Sequence, residues 1–176
     1  MRLAITGATG FVGKRLVALA LAQGHSVAAL TRRPRAGGDG VNWVFGSLET
    51  PNALTSLMRG ADAAIHVAGV VNAADRAGFA SGNIDGTQTV VAAARQMDVR
   101  RFVHVSSLAA REPDLSNYGW SKAEAERIVV GSDAAWDIVR PPAVYGPGDR
   151  DMLEIFRMAK RGVALLPPGG RMSAIH

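Results

Sequence analysis

The segment "NYGWSKAEAE" at 117–126 places Tyr118 and Lys122 four residues apart, on one face of any helix that carries both. Such a pair either meets solvent at a helix start or aims a phenol and an ammonium at one substrate. A phenol ordinarily titrates near pH ~10. A neighbouring cation favours the phenolate, which makes the group usable as a proton donor and acceptor. Upstream, "VHVSSLAA" holds Ser106 and Ser107, and ten residues separate Ser107 from Tyr118. A hydroxyl at that point can donate to a substrate oxygen and steady its developing charge. The competing reading is a serine pair that closes a strand.

The elements that must position these groups follow a regular rhythm. Short apolar, β-branched runs at 2–6, 26–31, 42–45, 62–67, 101–106 and 135–140 read as strands. Helical patterns lie between them at 11–23, 51–59, roughly 79–97 and 118–130. In the first helix Phe11, Val12, Leu16, Leu19 and Ala20 form an apolar stripe of helical period, and Gly24 stops it. Nearly all-apolar strands imply burial on both faces. Strand–helix alternation then predicts an α/β doubly wound parallel sheet, a Rossmann fold. "RAGGDG" at 35–40 reads as a surface loop. In this sheet class ligands bind outside the carboxyl ends of the strands, which is where Ser106 and Ser107 fall.

"TGATGFVG" at 6–13 leaves the first strand and opens the first helix. Gly7 turns out of the strand, Gly10 admits a pyrophosphate close to the backbone, and Gly13 lets helix and sheet approach. Thr9, Phe11 and Val12 complete the loop, and helix N-terminal amides face the phosphate charge. After the second strand stand Thr31, Arg32, Arg33 and Pro34, where an acidic residue would favour NAD. Guanidinium groups there suit a 2′-phosphate, so NADP is preferred over NAD. Asp39 is a poor substitute for the missing acid. With an oxidised nicotinamide ring nearby, a second positive charge favours the phenolate of Tyr118.

The 176 residues, 48% of them hydrophobic, suit one globular domain with a real core. Absence of cysteine excludes disulfides, thiolate metal sites and cysteine nucleophiles. The start shows no secretory h-region, and the longest apolar run, "LVALALA", is far short of a bilayer span. A soluble, cytoplasmic protein without membrane partners is expected. The net charge of +5 is scattered apart from Arg32, Arg33 and Arg35, which argues against nucleic acid. His66 and His104 sit within strands and read as buried, hydrogen-bonded residues rather than metal ligands. Past 140, "RPPAVYGPGD" leads to one amphipathic helix, with Met152, Ile155, Phe156 and Ala159 on its apolar side. A turn and a strand-like "SAIH" follow. A dinucleotide domain at 1–148 and the beginning of an incomplete substrate-binding portion at 149–176 are expected.

Taken together, Gly7/Gly10/Gly13, "HVAG" at 66–69, "NIDGT" at 83–87, "VSS" at 105–107, Tyr118/Lys122 and "RPPAVYGPGD" resemble the extended or atypical short-chain dehydrogenases/reductases, the NAD-dependent epimerase/dehydratase-like group. The resemblance implies a catalytic triad of Ser107, Tyr118 and Lys122, with Asn83 orienting a proton-relay water. It further implies that Ala68, Gly69 and Val70 line the cofactor, and that Pro141 to Val144 lie by the nicotinamide. Ser106 joins the cofactor-contacting residues, Lys122 holds the nicotinamide ribose, and a homodimer forms through the helices at 79–97 and 118–130. The reaction implied is hydride transfer between nicotinamide and a carbinol or carbonyl carbon of a small molecule.

Three features depart from the family pattern. Ser47 stands where an Asp near the adenine is common, with Asp62 a possible substitute. The loop from Ser107 to Tyr118 is short for a nucleotide-sugar epimerase, so a ketone or aldehyde reductase fits equally. Most of the family's substrate-binding portion is absent from these 176 residues. A non-catalytic NADP sensor or assembly factor on the same fold is the rival, although a pure binder has no need of the phenol.

Overall fold

In a computed structural model, residues 1–35, 37, 39–149, 151–163 and 173–176 are described. They divide into two compact units, Met1–Arg140 and Pro141–His176, ahead of the 148/149 boundary expected from the sequence. The first unit is a six-stranded sheet of order β3-β2-β1-β4-β5-β6, with every pair parallel. Its strands are β1 (Arg2–Thr6), β2 (Ser26–Thr31), β3 (Val41–Phe45), β4 (Ala63–His66), β5 (Arg101–Val105) and β6 (Ala135–Val139). The order reverses between β1 and β4, the switch point where doubly wound sheets open a crevice.

Helices α1 (Phe11–Ala22), α2 (Pro51–Met58), α4 (Gly86–Gln96) and α5 (Asn117–Val130) cover the sheet. One apolar cluster joins Ala28, Leu54, Met58, Val90, Phe102 and Val129 on one face. A second joins Leu3, Ile5, Val17, Val27 and Ala29 on the other. Burial on both faces explains the apolar runs Leu3–Ile5 in β1 and Val27–Leu30 in β2. The edge strand β6 is largely exposed.

Two elements differ from the sequence expectation. The buried side of α1 is Gly13, Val17 and Ala20, while Val12 and Leu19 lie exposed. A Cβ on Gly13 would strike the Gly7 carbonyl oxygen. That glycine must therefore face the sheet, and it sets the helix rotation against the apolar stripe. The helix expected at 79–97 is also discontinuous. It consists of the short α3 (Arg76–Phe79), a π-helical stretch Ala80–Asp85, and α4. Such π segments recur at functional sites, and this one contains Asn83.

The second unit pairs β7 (Ala143–Val144) with β8 (Ala174–Ile175) in parallel and carries α6 (Asp151–Lys160). The Tyr145 ring meets Phe156 at 6.0 Å and His176 at 5.2 Å. Of the apolar side expected for α6, Met152 is buried, whereas Ile155, Phe156 and Ala159 are exposed. The expected turn over 165–172 lies outside the described residues, as does part of the 35–40 loop. Among the described residues no helix is long and apolar enough to cross a membrane.

Candidate active site

The glycine loop forms a cradle by close approach. Gly7 has φ +70°, and a Cβ there would come within 2.5 Å of the Ala68 amide nitrogen. The Gly10 amide donates to the Gly7 carbonyl at 3.0 Å, and Gly10 itself is exposed at the N-cap of α1. No side chain caps that end, and its first turn holds no acid. Its amides thus face outward, as anion binding requires. Thr9 and Val12 are exposed beside them and Phe11 is half-buried.

Arg32 and Arg33 follow β2 and are both exposed. The Thr31 hydroxyl donates to the Arg33 carbonyl at 2.8 Å and accepts from its amide at 3.3 Å, fixing the turn. Asp39 accepts from the Trp43 indole at 2.9 Å and from the Val41 amide at 3.1 Å. The indole bond is the main reason its carboxyl is held below the usual range. Asp62 accepts from the Arg2 amide at 2.7 Å. It precedes β4, at the edge opposite the strand carboxyl ends, so it cannot replace the missing adenine-side acid. Ser47 bonds Thr50 and the Glu49 amide within its own turn.

A continuous polar chain underlies the segment after β4. The Ala68 amide donates to Thr6 Oγ1 at 3.3 Å, and Thr6 Oγ1 meets His66 Nδ1 at 2.7 Å. His66 Nε2 meets Thr87 Oγ1 at 3.1 Å, and Thr87 Oγ1 donates to the Asn83 carbonyl at 2.6 Å. Because that last donor is spent, Thr87 Oγ1 must accept from His66 Nε2–H. Nδ1 then accepts from Thr6. The sequence of donors assigns a neutral, Nε2-protonated imidazole. Burial, then the nearby His104 and Lys122, depresses its proton affinity well below the ordinary value. His104 is buried as expected, but neither ring nitrogen has a hydrogen-bond partner. Burial and Lys122 lower its pKa from 6.5 to about 3.

Asn83 clamps the same segment. Its Oδ1 accepts from the Val70 amide at 2.7 Å, and its Nδ2 donates to the Val70 carbonyl at 2.9 Å. Nδ2 also donates to Ser121 Oγ at 2.8 Å. Both amide hydrogens are thereby engaged, and the side chain acts here as a brace between Val70 and α5. A Cβ on Gly69 would lie 2.9 Å from Asn83 Oδ1 and 3.8 Å from Lys122 Nζ, so only glycine leaves these groups undisturbed.

Tyr118 and Lys122 lie on α5, whose start is capped by Ser116 Oγ accepting from the Gly119 amide at 3.0 Å. The Tyr118 ring is half-buried and tilts against Phe79 at 6.2 Å. Lys122 is only 4% exposed, and its Nζ donates to the Val105 carbonyl at 2.9 Å, at the end of β5. Burial brings its pKa from 10.5 to about 8, against an opposing pull from Glu126. Ser107 Oγ accepts from the Ala109 amide at 3.2 Å, capping a 3-10 turn at Leu108–Arg111. That turn packs on α5, and a Cβ on Gly119 would come within 2.7 Å of the Ala109 carbonyl oxygen. Ser106 Oγ is buried without a partner in hydrogen-bond geometry, although it leans on the Glu126 carboxylate enough to lower its proton affinity.

Ser106, Ser107, Lys122, Asn83 and Ala68–Val70 thus gather at the carboxyl ends of β4 and β5, with the glycine cradle at β1. Pro141 and Val144 belong to the second unit. Sequence reasoning passed over Thr6, Thr87, Ser121, Glu126 and Arg140. Glu126, one helical turn beyond Lys122 in "KAEAE", carried a spacing signal, whereas Thr6 and Thr87 carried none.

A doubly wound sheet with an uncapped helix start at its switch point and an ammonium buried beside a glycine defines a dinucleotide-binding protein of the short-chain dehydrogenase/reductase kind. The chain belongs to the NAD dependent epimerase/dehydratase family, whose model matches residues 3–169. It is 45% identical over 98% of its length to a ceramide reductase of Caulobacter vibrioides, covering 56% of that protein. It is 34% identical over 87% of its length to a 4-hydroxy-2-methyl-3-oxo-4-farnesyl-3,4-dihydroquinoline-1-oxide ketoreductase of Stigmatella aurantiaca, covering 53% of it. It superposes with a TM-score of 0.80 and 25% identity on an NAD-bound dTDP-glucose 4,6-dehydratase of Streptomyces venezuelae, covering 94% of this chain and 64% of the other. The chain therefore spans little more than half the length of these curated relatives.

Proposed function

We propose that this chain supplies the cofactor-binding and proton-transferring part of an NAD(P)-dependent ketone reductase. A bound nicotinamide would supply the hydride; of this chain's residues, Tyr118 gives the proton to the carbonyl oxygen, Lys122 holds the adjacent positive charge, and Ser107 donates to the carbonyl. The pyrophosphate rests on Gly7, Thr9, Gly10 and Gly13, with Ala68, Gly69, Val70 and Ser106 along the cofactor. The observation that carries this reading is Lys122. A charged side chain almost wholly buried beside Gly69, one turn from a phenol, has no structural need to be there. Two relatives named for reducing substrates with long apolar parts support a ketone on a lipid-like small molecule.

Exposed Arg32 and Arg33, with no carboxylate at the end of β2, support NADP as the preferred cofactor. The half-exposed Val130 and the half-buried Ile128 on α5 support a homodimer through the helices at 79–97 and 118–130; a single monomer peak on sizing would remove that part. The test of the chemistry uses the full-length protein with NADPH or NADH and a panel of ketones, long-chain 3-oxo compounds included. Loss of one general acid predicts a fall of about 10²–10⁴-fold in kcat for Tyr118→Phe. Undiminished turnover in that variant rejects the assignment, and equal kcat/KM with NADH rejects the NADP preference. NADPH binding without any carbonyl reduction would favour a non-catalytic sensor.

A further inference from the structure

One turn beyond Lys122, Glu126 is almost wholly buried, an unusual place for a carboxylate. Arg140, just after β6, grips it in a fork, with Nε at 2.9 Å from one oxygen and a terminal nitrogen at 2.5 Å from the other. Burial works against the ionised form, but this arginine prevails and holds the carboxyl below its usual range. The fork closes the distance between α5 and the end of β6, and fixes where the negative charge sits. His104 lies buried in the same environment, with both ring nitrogens unpartnered and neutral. Lys122 thus has a single hydrogen-bonded neutral acceptor, the Val105 carbonyl, and a fixed anion behind it.

The other chargeable groups do not compete. His66 and His104 face Lys122 from β4 and β5, and both are neutral. On the remaining elements packed against α5, Arg76, Asp85, Arg95, Arg111, Asp114 and Asp137 are all exposed to water.

We propose that Glu126, anchored by Arg140, is a positioning residue that keeps the buried Lys122 side chain in its ammonium form at the reacting centre. The inference deepens the reductase reading and rests on it for its catalytic meaning, but the electrostatic part stands without turnover. An ammonium taken out of water beside neutral groups tends to shed its proton. A fixed carboxylate one turn away opposes that loss. Arg140 also keeps Glu126 from folding outward to solvent, since the guanidinium side chain is itself 45% exposed and bridges to the surface.

The chain has only three lysines, Lys14, Lys122 and Lys160, of which the other two are exposed. Lysine-selective ¹³C NMR of the full chain therefore reads the Lys122 titration directly, with or without a substrate. The expected result is a Lys122 midpoint lowered by about one pH unit or more in Glu126→Gln. Glu126→Asp, which keeps the charge, is expected to restore most of the shift, and Arg140→Gln to lie between. In a substrate assay, the alkaline limb of kcat moves down with the NMR midpoint. An unmoved Lys122 midpoint in Glu126→Gln overturns the proposal. Should Glu126→Gln fail to fold, Arg140→Gln decides it, and a wild-type Lys122 midpoint in that variant overturns the proposal. A shifted midpoint with no activity in any variant, wild type included, would instead count against the reductase reading alone.

Discussion

Mild acid should destabilise this protein through its two buried histidines. His66 accepts at Nδ1 from Thr6 and donates at Nε2 to Thr87. A second ring proton would point at the Thr6 hydroxyl, whose oxygen already accepts from Ala68. His104 has no acceptor for any proton, and its burial brings the pKa from 6.5 to about 3. In the unfolded chain both rings titrate near 6.5. Below that pH the unfolded state binds protons that the folded state refuses. Stability is therefore intact above pH ~6.5 and falls as the pH drops toward the folded values. Each histidine contributes a slope of about 1.4 kcal/mol per pH unit well below 6.5, and the pair about twice that. By pH ~5 the loss reaches about 4 kcal/mol, a large share of the stability of an ordinary domain. Urea midpoints measured from pH 7.5 to 5, at constant m, read this directly. The window sits above the range where ordinary carboxylates titrate. His104→Phe, which keeps a ring and removes the proton site, should halve the slope. A flat midpoint across this window would refute the neutral-histidine argument.

Two other perturbations separate folding from function. Gly13→Ala should gain about 1 kcal/mol from helix propensity yet lose more, because the new methyl meets the Gly7 carbonyl backbone, which has nowhere to move. A net destabilisation of about 1–2 kcal/mol with weakened NADPH binding is expected; an unchanged melting temperature with normal cofactor titration would contradict it. Lys122→Met should abolish reduction and raise the melting temperature, since a pKa of about 8 instead of 10.5 means that charged Lys122 costs about 3 kcal/mol at neutral pH. A lower melting temperature would show that the Val105 bond outweighs burial.

The strands and most helix bounds were legible because their signals are local. β1 and β2 are runs that only a doubly covered sheet can bury, and Gly24, at φ +76°, ends α1 through backbone geometry that glycine allows. The apolar stripe of α1 does not predict its buried face, because Gly13 has no side chain to count, yet its contact with Gly7 decides the rotation. Likewise, the π-helical stretch at Ala80–Asp85 left no periodic trace. It is the turn in which Asn83 reaches Val70 from one side and Ser121 from the other, a three-way closure that no spacing rule anticipates. Thr6, His66 and Thr87 belong to three separate elements and meet only once the parallel order β1-β4-β5 exists. Tyr118 and Lys122 share one helix, so their relation could be read from spacing. Arg140 and Glu126 lie on different elements, so theirs could not.

The distribution of buried polar groups marks the site independently of any motif. Apart from Thr31 at the end of β2, the buried polar residues among those described are Thr6, His66, Asn83, Thr87, His104, Ser106, Ser121, Lys122 and Glu126. These lie on β1, β4 and β5, just past β5, or on the helices that follow β4 and β5, at or beneath the carboxyl ends of the central strands. A sheet selected only to fold would place apolar side chains at these positions, because burying a polar group without full partnership destabilises. Here the His104 nitrogens and the Ser106 hydroxyl remain without hydrogen-bond partners, and a buried ammonium stands beside them. The apolar layers around Leu54, Met58 and Phe102 must offset that penalty. Such concentration of buried polar groups in one corner of an otherwise apolar core is what a preorganised reaction centre requires. Its dipoles are fixed before the substrate arrives, and the surrounding core supplies the stability that they forgo.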